Sequence, residues 1–423
     1  MILPCRIHRT CNRHRSGSLP LALLFAACFV TPLGETMSQE AVSAASEAAG
    51  LGWLPAVPLQ ITAGLDMGYD DNVNLGSTGG GAGGGGGGSV FARENIVLTY
   101  ARPSERTQVS LVGVGSFDQY FDLGTDDKTG NITLSLTHNF STRLSFYASI
   151  YATYATEPDF KSDVGPENVR APHFDTANIF SVTYHWMPRL STVTSYTFDR
   201  VKYADSSIGA SQDRVENTID ETLQFSLTRR TNLVGEYRYD WINYDTATTT
   251  TTPNSVTHYL LAGIDHRLTE HLIIRARAGN SFRSLEGAGD SSSPTFEGFL
   301  DYTRSNHSLS WTASYGYEAP NAADVTLRKT LRTGLVLTYN LTSRLSSTTA
   351  VYYHHDENQG SASAESSSVG TQDSLDLLLG FRYTITNRLA LHVDYSYTSQ
   401  SSLGSSTPGY SRNRYSAGLS YTY

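Results

Sequence analysis

Cysteine is almost missing from this chain of 423 residues: Cys5, Cys11 and Cys28 are the three present, and all lie at its N-terminal end. A mature chain that loses this stretch has no thiol, which excludes disulfides, Cys-ligated zinc or iron–sulfur sites and Cys nucleophiles. Lysine is nearly as scarce, with Lys128, Lys161, Lys202 and Lys329 alone, and the net charge is -9. That balance argues against nucleic acid as a partner. Long apolar runs are missing too. The best, Leu19 to Val30, has twelve residues, whereas a helix needs roughly 20 to span a bilayer. No His-Glu-x-x-His, Gly-x-Ser-x-Gly or paired-Cys motif occurs, so no catalytic residues, metal ligands or cofactor are assigned and the chain is read as a non-enzyme.

What is abundant is Tyr (26) and Gly (36), with 39% hydrophobic residues and a mean hydropathy of -0.29. Such polarity rules out a helical membrane protein but not a barrel, whose strands show apolar atoms to lipid at every second residue and polar atoms to the lumen between.

The N-terminus reads as a secretory signal: Arg6, Arg9, Arg13 and Arg15, then the apolar run, then small and polar residues through Ser43. Cleavage is expected between 36 and 43, with Thr36-Met37-Ser38 and Ala41-Val42-Ser43 both fitting a small-x-small rule. Phe25-Ala26-Ala27-Cys28 resembles a lipoprotein box, but Phe stands where Leu is usual and apolar residues follow the Cys, so ordinary cleavage is favoured. The expected organisation is a leader over 1–38, a periplasmic segment over 39–58 and a barrel over 59–423.

From Leu59 onward one phrase repeats: an alternating segment, a turn of a few residues, another alternating segment, then a longer polar loop. Eight short turns are expected near Arg102 to Arg106, Ser141 to Arg143, Pro188 to Arg189, Arg229 to Asn232, Thr269 to His271, Ser305 to His307, Thr342 to Arg344 and Thr386 to Arg388. Longer loops are expected between the hairpins, including Asn72 to Ser89, Glu157 to Pro172, Ala204 to Asp213, Thr246 to Asn254, Glu286 to Ser293, Glu357 to Gly370 and Ser399 to Pro408. Alternation is clearest where Leu389, Leu391, Val393, Tyr395 and Tyr397 share a face against Ala390, His392, Asp394 and Ser396. Eight hairpins plus a first strand (Leu59 to Asp70) and a last (Arg412 to Tyr423) predict an all-β, transmembrane, antiparallel up-and-down barrel of about 18 strands, or 16 if the poorly alternating Leu190–Tyr203 and Leu345–His355 segments are not strands.

Candidate lumen residues are Glu236, Arg238, Asp240, Arg275, Arg277, Arg283, Asp301, Arg382 and Asp394, readable either as a selective constriction or as a salt-bridge lining. Tyr151, Tyr154, Tyr196, Tyr203 and Tyr244 could form a sugar-stacking track, but most of them are expected in an interfacial girdle. His354-His355-Asp356 is expected as solvated rim residues, and Gly79 to Gly88, which lacks the Lys of a phosphate loop, as a flexible loop. Tyr415, Leu419, Tyr421 and Tyr423 share a face and resemble the C-terminal signal read by the barrel assembly machinery.

Tyr69-Asp70-Asp71-Asn72-Val73, at the end of the first strand, resembles the opening motif of the putative beta-barrel porin-2 family. The Arg-Leu turns and aromatic last strand fit that family too. The resemblance implies an outer-membrane barrel linked to solute passage or exopolysaccharide export, and carries over no catalytic residues. The partners expected are outer-membrane lipids, the assembly machinery, small solutes or polysaccharide, and, as an open alternative, two further copies in a homotrimer.

Overall fold

The structure, a computed structural model, describes residues 59–76, 86–157, 170–247, 253–287, 289–320, 325–360, 370–401 and 409–423. The leader, the 39–58 segment and most of the glycine run lie outside the described residues.

Alternating segments become strands because each strand's two faces meet different surroundings while its backbone bonds sideways to neighbours. The strands are β1 (Leu59–Asp70), β2 (Ser89–Pro103), β3 (Thr107–Tyr120), β4 (Thr125–Asn139), β5 (Leu144–Ala155), β6 (His173–Met187), β7 (Leu190–Tyr203), β8 (Arg214–Ser226) and β9 (Thr231–Tyr244). They continue as β10 (Ser255–Arg267), β11 (Leu272–Leu285), β12 (Gly289–Arg304), β13 (His307–Glu318), β14 (Val325–Asn340), β15 (Leu345–Gly360), β16 (Gly370–Thr384), β17 (Leu389–Gln400) and β18 (Tyr410–Thr422). Each pairs antiparallel with the next, and β1 pairs with β18, so 18 strands close into one ring. The weakly alternating β7 and β15 are full members, which removes the 16-strand alternative.

The eight short turns all lie at one end. Several are built the same way. The hydroxyl of Ser141 accepts from the backbone N–H groups of Arg143 and Leu144 at 3.1 Å each. Thr269, Thr342 and Thr386 do the same for His271 and Leu272, Arg344 and Leu345, and Arg388 and Leu389, at 3.0 to 3.3 Å. A side-chain acceptor that satisfies two turn N–H groups explains why Ser or Thr stands two positions before Arg or His in the repeated phrase.

The loop end departs from the expected pattern. Residues 286–288 are all that separates β11 from β12, because Ser291 and Ser293 pair with Arg283 and Ser281 instead of looping. β15 likewise runs on to Gly360. Two further connections, 121–124 and 319–324, complete the nine that 18 strands require at this end, and 204–213 contains a short helix, α1 (Ser206–Gln212), capped by Asp205.

Leu65, Met67, Ile96, Leu98, Leu260, Phe381 and Leu419 are among many large apolar side chains exposed on the outer face. The core is therefore not a central mass of apolar residues. The most deeply buried large side chains include Arg283, Arg328, Tyr120, Tyr410, Phe91, Ile242, His173 and His354. All of these point inward near the loop end; Ile179 and Val193 lie further down the wall.

Closure of the ring places a demand on one glycine. Gly418 of β18 stands between Asp66 of β1 and His392 of β17. A Cβ there would lie 2.5 Å from the Leu65 carbonyl oxygen and run into the Asp66 carboxylate. With no side chain at 418, Asp66 reaches across β18 to hydrogen-bond His392, while Asn95 of β2 donates to its other oxygen at 2.9 Å. Gly418→Ala should lower stability by about 1–3 kcal/mol through overpacking, seen as an earlier transition in heat-modified electrophoretic mobility. An unchanged transition would contradict this account.

Candidate functional site

Inner-face side chains form ion-paired groups along the wall. One group spans β8 to β12. Arg238 Nη2 donates to Glu236 Oε1 at 2.5 Å and Nη1 to Glu297 Oε1 at 3.0 Å, and its Nε lies 3.7 Å from Asp220. Arg277 Nη1 stands 2.7 Å from Asp265 Oδ1 and its Nε 3.9 Å from Glu236. Arg275 pairs with Asp301. The guanidinium of Arg238 also lies 5.4 Å from the centre of the Tyr259 ring, close enough for a cation–π attraction.

A second group lies at the loop end of β9 to β15. Arg283 Nε donates to Thr257 Oγ1 and Nη1 to the Glu318 carbonyl oxygen, both at 2.8 Å, with Asp240 4.0 Å from Nη2. Arg328 Nε lies 3.2 Å from Asp356 Oδ1, which also accepts from Thr330 at 2.7 Å. Arg332 Nη2 donates to Glu318 Oε2 at 2.5 Å. Partners on several strands are needed because an arginine left unpaired at this depth would be strongly destabilising.

The sequence-derived candidates fall into two sets. Glu236, Arg238, Asp240, Arg275, Arg277, Arg283 and Asp301 belong to these groups. Arg382 and Asp394, from β16 and β17, stand nearer the short-turn end and are exposed although they alternate with the outward Phe381 and Val393. Water thus reaches the inner face at Arg382 and Asp394, whereas Arg277, Arg283 and Arg328 are buried among their partners.

Two expectations need correction. His354 and Asp356 are not solvated rim residues: β15 continues past them and turns both inward, at 1% and 0% exposure. His355 faces outward and shares Asp373 Oδ1 with Tyr353, at 2.8 and 2.6 Å. Tyr203 and Tyr244 are not girdle residues either. Tyr203 packs with Ala171 and Val201, and Tyr244 with Ile242 and Ala319. Tyr151 alternates inward beside the exposed Ile150, while Tyr154 and Tyr196 are exposed on the outer face. Tyr415, Leu419, Tyr421 and Tyr423 line the outside of the last strand.

The family-like motif sits at the seam. Tyr69 faces outward and Asp70 is fully buried inward, where Arg412 Nε lies 3.0 and 2.9 Å from its two oxygens and Nη2 also donates. The Asp71 carboxylate accepts from the Asn413 backbone N–H at 2.7 Å and side-chain amide at 2.8 Å. Asn72 donates from its amide to the carbonyls of Gly76 and Ser411 at 2.9 Å each and accepts from Gly76 N at 2.8 Å. Val73 packs against Phe91 and Tyr120. Every polar member of the motif thus holds the end of β1 to the start of β18 or shapes the turn that follows. Arg412 was not singled out in the sequence, although its position three before Tyr415 on an alternating strand marks it as inward.

On the outer rim, Arg200 donates to both oxygens of Asp245 at 2.6 and 2.5 Å, and Lys202 to Asp213 at 2.5 Å. The hydrogen bonds from Arg200 hold the Asp245 carboxyl down at about 2.

No protein-family model matches the chain, so the porin-2 resemblance finds no support there. No curated protein matches it. Among solved structures it is similar to Pseudomonas aeruginosa OpdK with vanillate, at 13% identity over 86% of this chain and 98% of that one with a TM-score of 0.41. P. aeruginosa OpdQ matches at 10% identity over 86% and 97%, TM-score 0.41. The siderophore receptor PirA from Acinetobacter baumannii matches at 9% identity over 86% and 80%, TM-score 0.40.

Two outcomes test this geometry. Asp70→Asn should cost about 1–3 kcal/mol by removing one of the two carboxylates that Arg412 pairs with, and the Asp70→Asn, Arg412→Gln double variant should recover part of it, read from denaturant unfolding followed by tryptophan fluorescence. Equal losses in the single and double variants would show that no pairing is at stake. Because its pKa is depressed on folding, Asp245 stabilises the protein above the unfolded carboxylate range and loses that contribution as pH falls toward about 2. The Asp245→Asn deficit, at most about 1 kcal/mol for so exposed a pair, should therefore be present at neutral pH and shrink toward pH 2.

Proposed function

We propose that the chain is a porin-like channel of the outer membrane through which small polar solutes pass passively, without catalysis. The carrying observation is the closed 18-strand ring with an apolar outer face and a solvent-exposed, charged inner face at Arg382 and Asp394. A closed barrel satisfies its backbone without water on the lipid side. A ring of this strand number encloses more room than wall side chains alone fill, unlike a ring of about 8 strands. Short turns face the periplasm and the longer connections the exterior, the asymmetry usual for such barrels. The barrel assembly machinery would read the outward aromatic row that ends in Tyr423.

The inner groups narrow the passage toward the loop end, where Arg283, Arg328 and Asp356 leave almost no exposed surface. This supports passage of small solutes rather than of a bulky polymer. Nothing observed favours polysaccharide export.

Purified protein in planar bilayers should give discrete conductance steps, and proteoliposomes should swell faster in small sugars than in oligosaccharides. Silence in both assays, from protein whose heat-modified mobility proves it folded, would leave a filled structural barrel in place of a channel.

A further inference from the structure

Glu157 lies two residues past the end of β5, yet its partners are on β18. Between those strands around the wall stand β4, β3, β2 and β1. Five inter-strand steps of roughly 4.8 Å make about 24 Å of wall, far beyond the reach of two side chains laid along it. Even so, Arg412 Nη2 donates to Glu157 Oε1 at 2.8 Å, and Arg414 Nη1 lies 3.7 Å from Oε2. The Glu157 carboxylate therefore reaches inward, across the ring rather than along its wall. Arg170, just before β6, leans the same way, pairing with Asp127 of β4 and lying over the Tyr120 ring.

The groups that Glu157 joins are otherwise well matched. Arg412 pairs with Asp70. Arg414 and Arg93 share Asp118, each with an N–H donating at 2.5 Å, and the Arg414 guanidinium lies 4.3 Å from the centre of the Phe91 ring. Asp70 and Asp118 thus serve Arg93, Arg412 and Arg414, and Glu157 is the carboxylate that brings this side of the opening to neutrality. Burial works against its charged form, but Arg412 and then Arg414 outweigh that and hold the carboxyl well below its usual range.

We propose that Glu157 sets the charge preference of the passage by neutralising Arg412 and Arg414 from across the opening. The inference rests on the channel reading and adds the residue that governs selectivity. Without the Glu157 charge, three guanidiniums face two carboxylates and the opening attracts anions.

The test compares wild type, Glu157→Gln and the outer-rim control Asp245→Asn in planar bilayers under a potassium chloride gradient. The expected result is a shift of about sevenfold in the anion-to-cation permeability ratio for Glu157→Gln, because one unit charge about 7 Å from the path in water changes the access of anions and of cations by about threefold each in opposite senses, with Asp245→Asn matching wild type. Conducting Glu157→Gln channels with an unchanged reversal potential would overturn the proposal and leave the channel reading intact. If all three proteins are silent, the channel reading fails and the selectivity role falls with it. The contact itself is then read separately, in a full chain with Cys5, Cys11 and Cys28 changed to Ser, by cross-linking Glu157→Cys to Arg412→Cys. Failure to cross-link in folded protein would refute the inward reach of residue 157.

Discussion

Everything in this structure depends on a sheet that has no edge. An antiparallel strand directs half of its N–H and C=O groups to each side, and in a ring both halves meet a neighbour. Seventeen of the contacts that complete the ring join strands adjacent in sequence; the last joins β1 to β18. At that last contact specific side chains are concentrated: the Asp70 to Arg412 fork, Asp71 on Asn413, Asn72 on Ser411, and Asp66 reaching over Gly418. Backbone pairing is the same at every interface, so it cannot by itself tell the first strand to meet the last. The side chains at the seam supply that distinction.

Once the ring is closed, its diameter creates the second problem. An inner surface too wide to be filled by apolar side chains must be wetted or lined by groups that satisfy one another. Both solutions are present. On β16 and β17, Arg382 and Asp394 remain in water; from β8 to β15, arginines bridge two or three strands and are matched by carboxylates and carbonyls. Arginine suits this work because its planar fork serves several acceptors at once, as Arg238 and Arg283 do, whereas the ammonium of lysine is a more strongly hydrated point charge. The scarcity of lysine noted at the outset is consistent with this lining.

How much of this was legible in the sequence follows from what periodicity encodes. Period two assigns a residue to a face, so the strand count, the eight turns and the sides taken by residues such as Arg277 and Leu391 could be read. Periodicity does not encode depth along the wall. His354 and Asp356 look like rim residues because polar side chains follow them, yet those polar residues extend the strand. Tyr203 and Tyr244 have the composition of a girdle but the opposite parity to Tyr196 and Tyr237. Partners across several strands depend on stagger and curvature, which a single sequence does not carry, and Glu157 lies in a connection with no period at all. The turn hydroxyls were visible as Ser or Thr at a fixed offset from Arg or His, and only their hydrogen bonds explain the spacing.

The ends of the described barrel meet: Tyr423 N–H donates to the Ile61 carbonyl at 2.7 Å, and Ile61 N–H to the Tyr423 carbonyl at 3.3 Å. Geometrically the ring therefore has no first strand. The order of synthesis picks one of eighteen equivalent gaps to be sealed last, and the seam side chains make that gap chemically unlike the others. A hairpin added or lost elsewhere would change the girth of the ring while leaving the same two ends to find each other, so this architecture can change size over evolutionary time by whole hairpins without reinventing its clasp.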